Sequence, residues 1–240
     1  MPSRISGVHA VYEALASQSQ PVEQIYIARE SHAGKLKEIV ELARAHDVPV
    51  RREDRSVLDR MAPGEIHQGI IAIVCELSYA PFEALFRGER PLVVVLDGVE
   101  DPHNLGAVIR TAEACGASGV VVPERHSAPL TATVAKVSAG ALAYVPVVRV
   151  TNVVSALEQL KARGLWVIGV DIGGKQDWTS FDYTGPVALV LGGEHRGVRR
   201  LVREHCDVLV RLPMLGKIAS LNVSVAAGVL MYEVVRQRNL

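Results

Sequence analysis

The feature that most constrains this chain is a set of short apolar runs without polar alternation, which recur from residue 91 onward. Residues 92–96 read LVVVL, residues 119–123 read GVVVP, and residues 187–191 read VALVL. A strand with one face in water alternates polar and apolar side chains, whereas a strand covered on both faces does not. Helical periodicity lies between these runs and predicts, among others, helices at 105–115 and 134–144. The sequence therefore predicts an α/β fold with a mostly parallel, doubly wound sheet.

The first part of the chain shows the same alternation on a smaller scale. It contains helix signals at 8–17 and 34–46 and strand signals at 24–28, 48–51 and 70–75. Two prolines, a glycine and mixed charges follow at 78–91, a composition typical of a connection between domains. We therefore predict a small α/β domain at 1–77, a linker at 78–90 and a larger domain at 91–240.

Composition excludes several classes of protein. The chain has 26 basic and 26 acidic residues, so no global charge indicates nucleic acid or a membrane as its partner. The three cysteines, Cys75, Cys115 and Cys206, are far apart, which favours neither a disulfide framework nor a zinc site. The first residues lack the apolar run of a secretory signal, and no apolar run is long enough to span a bilayer. We therefore expect a cytoplasmic protein without a membrane partner.

Several common catalytic motifs are missing from the sequence. No G-x-G-x-x-G follows a predicted strand and no P-loop is present, which argues against a nucleotide-dependent dehydrogenase. The G-x-S-x-G elbow of hydrolases and the H-E-x-x-H motif of zinc proteases are also missing. His103 has no second group of ligating residues at metal-binding spacing, so we expect no metal.

Three polar segments follow predicted strands of the larger domain. They are N-x-x-x-x-x-R at Asn104–Arg110, G-x-E-x-x-G at Gly192–Gly197 and S-x-N-x-S at Ser220–Ser224. Ligands of parallel sheets bind beyond the carboxyl ends of the strands, so these segments mark the candidate site. Each segment also has a purely structural interpretation, with Asn104 and Asn222 as helix N-caps and the glycines as a tight turn.

In this order, the three segments resemble the motifs of the SpoU-type (TrmH-like) branch of the SPOUT RNA ribose 2′-O-methyltransferases. The likeness extends over the first 75 residues, where GVHAVYEAL and HQGI resemble the substrate-binding domain attached to this branch. The resemblance implies an L30e-like N-terminal domain and a Rossmann-like SPOUT domain with a C-terminal trefoil knot. It also implies a homodimer that binds S-adenosylmethionine in the knot and completes its active site across the interface. The likeness is greatest to members that methylate a guanosine ribose in the peptidyl-transferase region of 23S rRNA.

The same resemblance implies roles for individual residues. Arg110 would be the catalytic arginine, and the active site would also contain the polar residues Asn104, Glu194, Ser220 and Asn222. The cofactor pocket would be formed by the glycines of the second motif and by residues before and within the third, namely Gly192, Gly193, Gly197, Leu212, Pro213, Met214 and Leu221.

The chemistry of ribose methylation is compatible with a catalytic arginine. The 2′-hydroxyl is a poor nucleophile until it loses its proton or its oxygen is stabilised as an alkoxide. An arginine keeps its proton in a protein, so we expect Arg110 to stabilise the neighbouring phosphate and the developing oxyanion. The sequence leaves a role as general base open.

A local basic patch lies beside the proposed site. Residues 195–211 contain five arginines against two acidic residues, which gives a net charge of +3. Such a patch is typical of phosphate binding, although a solvated helix face is the alternative interpretation. The residues that we expect to contact RNA are Arg196, Arg199 and Arg200 in this patch and His67 and Gln68 in the first domain.

Two further functions remain open from the sequence. The enzyme could methylate another rRNA site or a guanosine in a tRNA loop, which changes the substrate but keeps the reaction. A non-catalytic RNA-binding or ribosome-assembly protein could also retain the fold. The intact set of Asn104, Arg110, Glu194, Ser220 and Asn222 argues against such a loss of activity.

Overall fold

The computed structural model of the chain describes residues 3–17, 21–31, 34–74, 77–193, 197–217 and 220–239. Contacts within the chain define two compact units. The first unit comprises Met1–Ser78 with Leu130–Thr133, and the second comprises Tyr79–Pro129 with Val134–Leu240. A separate β-sheet forms the centre of each unit.

The first unit contains a four-stranded mixed sheet with the strand order β1-β4-β2-β3. Its elements are β1 (Ser3–Ser6), α1 (Val8–Ser17), β2 (Val22–Ala28), α2 (Lys35–Ala45), β3 (Val50–Glu53), α3 (Arg55–Met61) and β4 (Ile70–Val74). Strands β1 and β2 are antiparallel to β4, whereas β2 and β3 are parallel. The predicted helices and strands of this region are confirmed, and β1 and α3 are elements that the sequence pattern did not indicate.

Apolar side chains cover both faces of β2. Ile25 and Ile27, which point to the same face, are fully buried with Ile39 of α2 in one cluster. Tyr26 points to the other face and packs against a second cluster that contains Leu58 of α3. Burial on both sides explains why this strand lies inside the sheet.

The second unit contains a seven-stranded sheet with the order β7-β6-β5-β10-β8-β11-β9, in which every strand pair is parallel. The strands are β5 (Leu92–Asp97), β6 (Gly119–Pro123), β7 (Val147–Val150), β8 (Trp166–Val170), β9 (Gln176–Asp177), β10 (Val187–Gly192) and β11 (Val208–Arg211). The helices are α4 (Pro102–Ala114), α5 (Ala132–Val137), α6 (Val153–Ala162), α7 (Arg200–Glu204) and α8 (Val223–Arg238). The predicted parallel α/β fold is confirmed.

The core of the second unit is centred on the strands that the apolar runs predicted. Val95 of β5 and Val121 of β6 are fully buried in one cluster with residues of β10. The same cluster contains Leu85, which belongs to a short 3₁₀ helix at Phe82–Leu85. Part of the stretch predicted as a linker therefore packs into this core.

The sequence predicted one helix over residues 134–144, and the structure differs there. Helix α5 ends at Val137, and a short 3₁₀ helix follows at Ala141–Ala143. Between them, Ala139 and Gly140 have φ angles of 50° and 92°. This left-handed backbone ends an α-helix, and a glycine adopts it without a steric penalty.

The terminal helix α8 connects the third motif to the first. It packs on α4 and against β10, so the residues before α8 lie near the start of α4. The trefoil knot implied by the resemblance stays a prediction. No helix in the described part of the chain is long and apolar enough to cross a membrane.

Candidate active site

A cavity of about 490 Å³ lies at the edge of the larger sheet where β8, β10 and β11 end. This volume is typical of a small-molecule site. Of the residues predicted to bind the cofactor, the cavity is lined by Gly192, Gly193, Gly197, Leu212, Met214 and Leu221. Ser220, predicted as an active-site residue, also lines it, whereas Pro213 is not among its described lining residues.

The glycine turn after β10 forms one wall of this cavity. The Gly193 amide donates to the Asp97 carbonyl oxygen at 2.9 Å, and the Gly197 amide donates to the Gly193 carbonyl oxygen at 3.1 Å. A Cβ on Gly193 would overlap the Gly98 carbonyl group, and a Cβ on Gly192 would overlap the backbone of Gly197. Only glycines allow the backbone to fold this closely. The glycines therefore let the turn pack tightly against the end of β5 and against its own backbone, at the wall of the cavity.

Asn104 and Asn222 join the first motif to the third. The Asn222 Nδ2 atom donates to the Asn104 Oδ1 atom at 3.0 Å, across 118 residues of sequence. The Asn222 Oδ1 atom also accepts from the Ser224 amide at 2.9 Å, so Asn222 is the N-cap of α8 as predicted. The N-cap of α4 is Asp101, which accepts from the His103 amide. Asn104 is instead buried inside α4, and the cap interpretation of Asn104 is wrong.

Arg110 lies away from the described lining of this cavity. It lies on the exposed side of α4 and is not among the described residues that line the cavity. Its neighbour Thr111 faces α8, because a Cβ on Gly228 would lie 3.7 Å from the Thr111 Cγ2 atom. Arg110 is thus an exposed residue of α4 that directly precedes a residue of the α4–α8 contact.

Two arginines of the basic patch have acidic partners within the chain, and their RNA contacts stay predictions. Arg199 donates to the buried Asp97 carboxylate through both its amide, at 2.8 Å, and its Nε atom, at 2.7 Å. Arg200 is well exposed and pairs with Glu204 at 3.0 Å. Glu194 and Arg196 lie outside the described residues. Arg199 thus has a structural partner that the sequence did not indicate, and Arg200 keeps an exposed position.

His67 and Gln68 are engaged within the first unit. His67 is buried, its Nε2 atom lies 2.8 Å from the Asp59 Oδ1 atom, and its Nδ1 atom accepts from the Gly69 amide at 3.1 Å. The Gln68 Oε1 atom accepts from the Val8 amide at the start of α1. These bonds shape the turn before β4. The structure therefore gives His67 a structural role, because both its ring nitrogens are bonded within the unit, and its RNA contact stays a prediction.

Two charged residues of the cavity were not identified from the sequence. Asp171 directly follows β8, and its carboxylate lies 3.7 Å from the Arg203 guanidinium of α7. Both residues line the cavity. The available signal was a carboxylate placed immediately after an apolar run, the same signal that marks Asp97 after β5.

The thiol of Cys206, close to this site, is kept in its protonated form. Burial raises the pKa of the Cys206 thiol, near β8 and α7, to about 12, so its reactive thiolate form is scarce at neutral pH. Within the described ranges, no group of three His, Cys, Asp or Glu side chains is placed to hold a metal ion.

Comparison with known proteins gives two family matches. Residues 91–232 match the model of the SpoU rRNA methylase family. Residues 4–80 match the model described as RNA 2′-O ribose methyltransferase substrate binding. The two matches together cover both compact units.

Individual relatives align over almost the whole chain. The 23S rRNA (guanosine-2′-O-)-methyltransferase RlmB of Pseudomonas aeruginosa is 46% identical, with 98% of this chain and 96% of the relative covered. A Bacillus subtilis protein, YacO, which is named for the TrmH family of tRNA/rRNA methyltransferases, is 44% identical with the same coverage. Among solved structures, the SpoU methyltransferase AviRb of Streptomyces viridochromogenes in complex with AdoMet is similar, with a TM-score of 0.67 and 28% identity. That match covers 99% of this chain and 91% of AviRb.

Proposed function

Because the chain belongs to the SpoU rRNA methylase family, we propose that it methylates the ribose 2′-oxygen of a guanosine in the peptidyl-transferase region of 23S rRNA. The enzyme class, an S-adenosylmethionine-dependent RNA ribose 2′-O-methyltransferase, follows from the family. The choice of 23S rRNA rests on the 46% identity to RlmB of P. aeruginosa along nearly the full chain. The observation that carries the proposal is the glycine-walled cavity, which places the second and third motifs around one space large enough for the donor.

The cavity has the chemical character that the donor requires. Leu212, Met214 and Leu221 supply apolar surface for the adenine ring. Gly192 and Gly193 line the cavity and carry no side chain that would occupy it. When bound, S-adenosylmethionine supplies a methyl group that its sulfonium already activates. The chain therefore has to position the ribose oxygen and to stabilise charge, and no metal is needed.

We propose that Arg110 stabilises the reacting 2′-oxygen of the ribose. In the transfer, the 2′-oxygen would take the methyl group, S-adenosylhomocysteine would leave, and the hydroxyl proton would pass to solvent water. A guanidinium that contacts the adjacent phosphate and the oxygen stabilises the negative charge that develops there. Asn104, which is fixed by its bond to Asn222, orders the start of the helix that carries Arg110. Glu194 and Ser220 complete the proposed polar set.

The position of Arg110 supports a homodimer with shared active sites. Because Arg110 lies on an exposed helix side outside its own cavity, a second copy would have to bring its guanidinium to the donor. Helix α8, which packs on α4, has two exposed large apolar residues, Val225 and Tyr232, at 51% and 54% exposure. Exposed apolar surface of this kind is typical of an interface. A two-fold contact through α4 and α8 would therefore bury it and complete two sites at once.

RNA recognition is expected to depend on phosphate contacts. Arg200 remains exposed beside the cavity, and Arg51 and Arg52 are exposed on β3, the edge strand of the first unit. Contacts of this kind make RNA affinity fall steeply as the salt concentration rises. We propose that the enzyme acts in the cytoplasm, where its RNA substrate is found.

A tRNA substrate is the second candidate. It is favoured by the name of the B. subtilis relative, which covers both tRNA and rRNA methyltransferases. The reaction and the site residues would be unchanged, so only the nucleic acid distinguishes the two proposals.

The decisive experiment incubates the purified protein with methyl-labelled S-adenosylmethionine and with unmodified 23S rRNA, 16S rRNA or tRNA. The labelled RNA is digested and the modified nucleotide is mapped by mass spectrometry. We expect one labelled 2′-O-methylguanosine, in the peptidyl-transferase region of 23S rRNA. Label in tRNA alone would establish the second candidate. A protein that binds RNA and transfers no methyl group would be a non-catalytic relative.

A further inference from the structure

The cavity wall contains one feature that the family motifs do not explain. Among its described lining residues, Asp171 and Arg203 are the two with charged side chains, and their neighbours are glycines, a serine and apolar residues. The Asp171 side chain is only 14% exposed, and its carboxylate lies 3.7 Å from Arg203. A carboxylate in such surroundings is costly unless something binds it.

The backbone holds Asp171 in a fixed position. Its amide donates to the Val210 carbonyl oxygen of β11 at 3.0 Å, and its Oδ1 atom accepts from the Gly173 amide at 2.8 Å. Its Oδ2 atom is paired with the Arg203 Nη1 atom at a distance too long for a hydrogen bond. Among the described residues, none donates a hydrogen bond to the Oδ2 atom, so a residue that lines the cavity keeps acceptor capacity.

The location of Asp171 indicates which part of a ligand it can reach. Strand β8 lies between β10 and β11 in the sheet. Asp171 is accordingly placed between the glycine turn that follows β10 and the Leu212–Met214 segment that follows β11. Those two segments are the walls to which the proposed function assigns the donor, with apolar surface for the adenine ring. A group between them faces the middle of an adenosyl ligand.

We propose that Asp171 binds the ribose hydroxyls of the adenosyl donor and that Arg203 orients and charge-balances its carboxylate. A carboxylate only accepts hydrogen bonds, and a vicinal diol offers two donors. An acidic side chain at the end of a parallel strand is a general means of binding an adenosine ribose. The ion pair with Arg203 offsets the negative charge, which makes the cationic sulfonium a poorer match than the diol. This inference rests on the proposed function, since it requires an adenosyl ligand.

A purely structural ion pair makes a different prediction. If Asp171 and Arg203 only connected β8 to α7, their replacement would weaken every ligand of the cavity to the same extent. If Asp171 binds the diol, the loss depends on whether the ligand has its hydroxyl groups. The chemistry of the ligand therefore separates the two roles.

The test measures binding by isothermal titration calorimetry. The ligands are S-adenosylhomocysteine and its 2′-deoxy and 3′-deoxy analogues, and the proteins are the wild type, Asp171→Ala and Asp171→Asn. We expect the wild type to bind at least one deoxy analogue roughly ten- to a hundredfold more weakly, as the loss of a charge-assisted hydrogen bond implies. In Asp171→Ala the parent ligand weakens by a similar factor, and the penalty for removing the hydroxyl falls below about twofold. Asp171→Asn, which keeps one acceptor, is intermediate.

Two further variants sharpen the result. Asp182→Ala is the matched control, since Asp182 makes a similar turn with Thr184 elsewhere in the second unit; its affinities stay at the wild-type values. Arg203→Ala reduces the discrimination between ribose and deoxyribose ligands, and Arg203→Lys restores most of it. Equal losses for all ligands in Arg203→Ala would overturn the orienting role of Arg203.

The failure of this inference differs from the failure of the proposed function. A wild-type protein that binds no S-adenosylhomocysteine contradicts the proposed function. A wild-type protein that binds all three ligands equally, or an Asp171→Ala variant that keeps the full deoxy penalty, overturns the inference alone. Equal binding of all three ligands by the wild type would overturn the inference even if a variant fails to fold.

Discussion

The buried carboxylate of Asp97 accepts hydrogen bonds from both the backbone amide and the guanidinium of Arg199, 102 residues further along the chain. Asp97 ends β5, and Arg199 is the residue before α7. The glycine turn lies between β10 and Arg199, and Gly193 is bonded to the Asp97 carbonyl oxygen. Asp97 thus anchors both ends of the turn that forms the cavity wall.

Replacement of Arg199 is expected to destabilise the protein substantially. Arg199→Ala leaves the Asp97 carboxylate, whose side chain is fully buried, without its guanidinium partner. We expect the free energy of unfolding to fall by about 2 to 4 kcal/mol, because an uncompensated buried charge is costly. Urea denaturation followed by circular dichroism measures this change.

The adjacent Arg200 provides the matched control for that experiment. Arg200 is 72% exposed and pairs with Glu204 along α7. Arg200→Ala is expected to change the free energy of unfolding by less than about 0.5 kcal/mol. If both variants lost the same free energy of unfolding, the contact with Asp97 would not contribute more to stability than an exposed ion pair does.

A methyl group on Gly193 is expected to disable donor binding. Its Cβ would overlap the Gly98 carbonyl group, which forces the turn away from β5. We expect Gly193→Ala to bind S-adenosylhomocysteine at least about tenfold more weakly, as calorimetry can measure. Gly185→Ala is the control, because no atom lies within 4 Å of the added Cβ at that position. Unchanged affinity in Gly193→Ala would place the ligand elsewhere.

The two roles of Asn222 can be separated by substitution. Asn222→Ala removes both the N-cap of α8 and the bond to Asn104, so the unfolding free energy should fall by about 1 kcal/mol or more. Asn222→Ser keeps a cap-forming side chain that is too short to reach Asn104. We expect the serine variant to recover most of the stability and to remain impaired in methyl transfer. Full activity of Asn222→Ser would mean that the bond to Asn104 does not support catalysis.

Glu233 is expected to make the stability of α8 depend on acid pH. Hydrogen bonds from Arg236, and a further one from Gln237, lower the pKa of this nearly buried carboxylate below its ordinary value. A lowered folded-state pKa contributes stability above the unfolded-state pKa, and this contribution is lost as the pH falls through the folded-state value.

The measurement compares the wild type with Glu233→Gln between neutral and acid pH. The difference in unfolding free energy should be largest near neutrality and should shrink as the pH falls below about 4.3, the ordinary value for a glutamate. Glu41→Gln, at an exposed position on α2, is the control and should show almost no difference at any pH. A gap between wild type and Glu233→Gln that widened in acid would reverse the assigned sign.

The central strands of the second unit could be predicted because a strand that is buried on both faces appears in the sequence as an uninterrupted apolar run. The runs at 92–96, 119–123 and 187–191 correspond to β5, β6 and β10. Strand β9, with two residues, is too short to leave such a record. The start of α4 was placed too late, although Asp101 and Pro102 carry the usual signals of a helix N-terminus.

Site residues could be predicted where a local motif determines the backbone conformation. They could not be predicted where a contact between distant parts of the chain determines the position of the side chain. The glycine turn and Leu221 were placed at the cavity by resemblance, and the structure brings them together there. The partner of Arg199 could not be inferred, because Asp97 lies 102 residues away and nothing local indicates the contact. The burial of His67 could not be inferred either, because it depends on a tertiary contact with Asp59.

The shared active site can be tested with a mixed dimer. One subunit carries Arg110→Ala and the other carries Gly193→Ala, each with a different affinity tag, so that tandem purification isolates the heterodimer. In this heterodimer the intact cavity of the Arg110→Ala chain meets the intact Arg110 of its partner. Each variant alone forms dimers without any complete site, provided that both are confirmed to be folded by circular dichroism.

Methyl transfer to rRNA by the purified heterodimer is the most direct measurement of the central claim, which is that the donor cavity and the catalytic arginine act together from different chains. We expect both variant homodimers to be inactive and the heterodimer to recover about half of the wild-type activity, because one of its two sites is complete. An inactive heterodimer, or an Arg110→Ala homodimer with wild-type turnover, would contradict the claim.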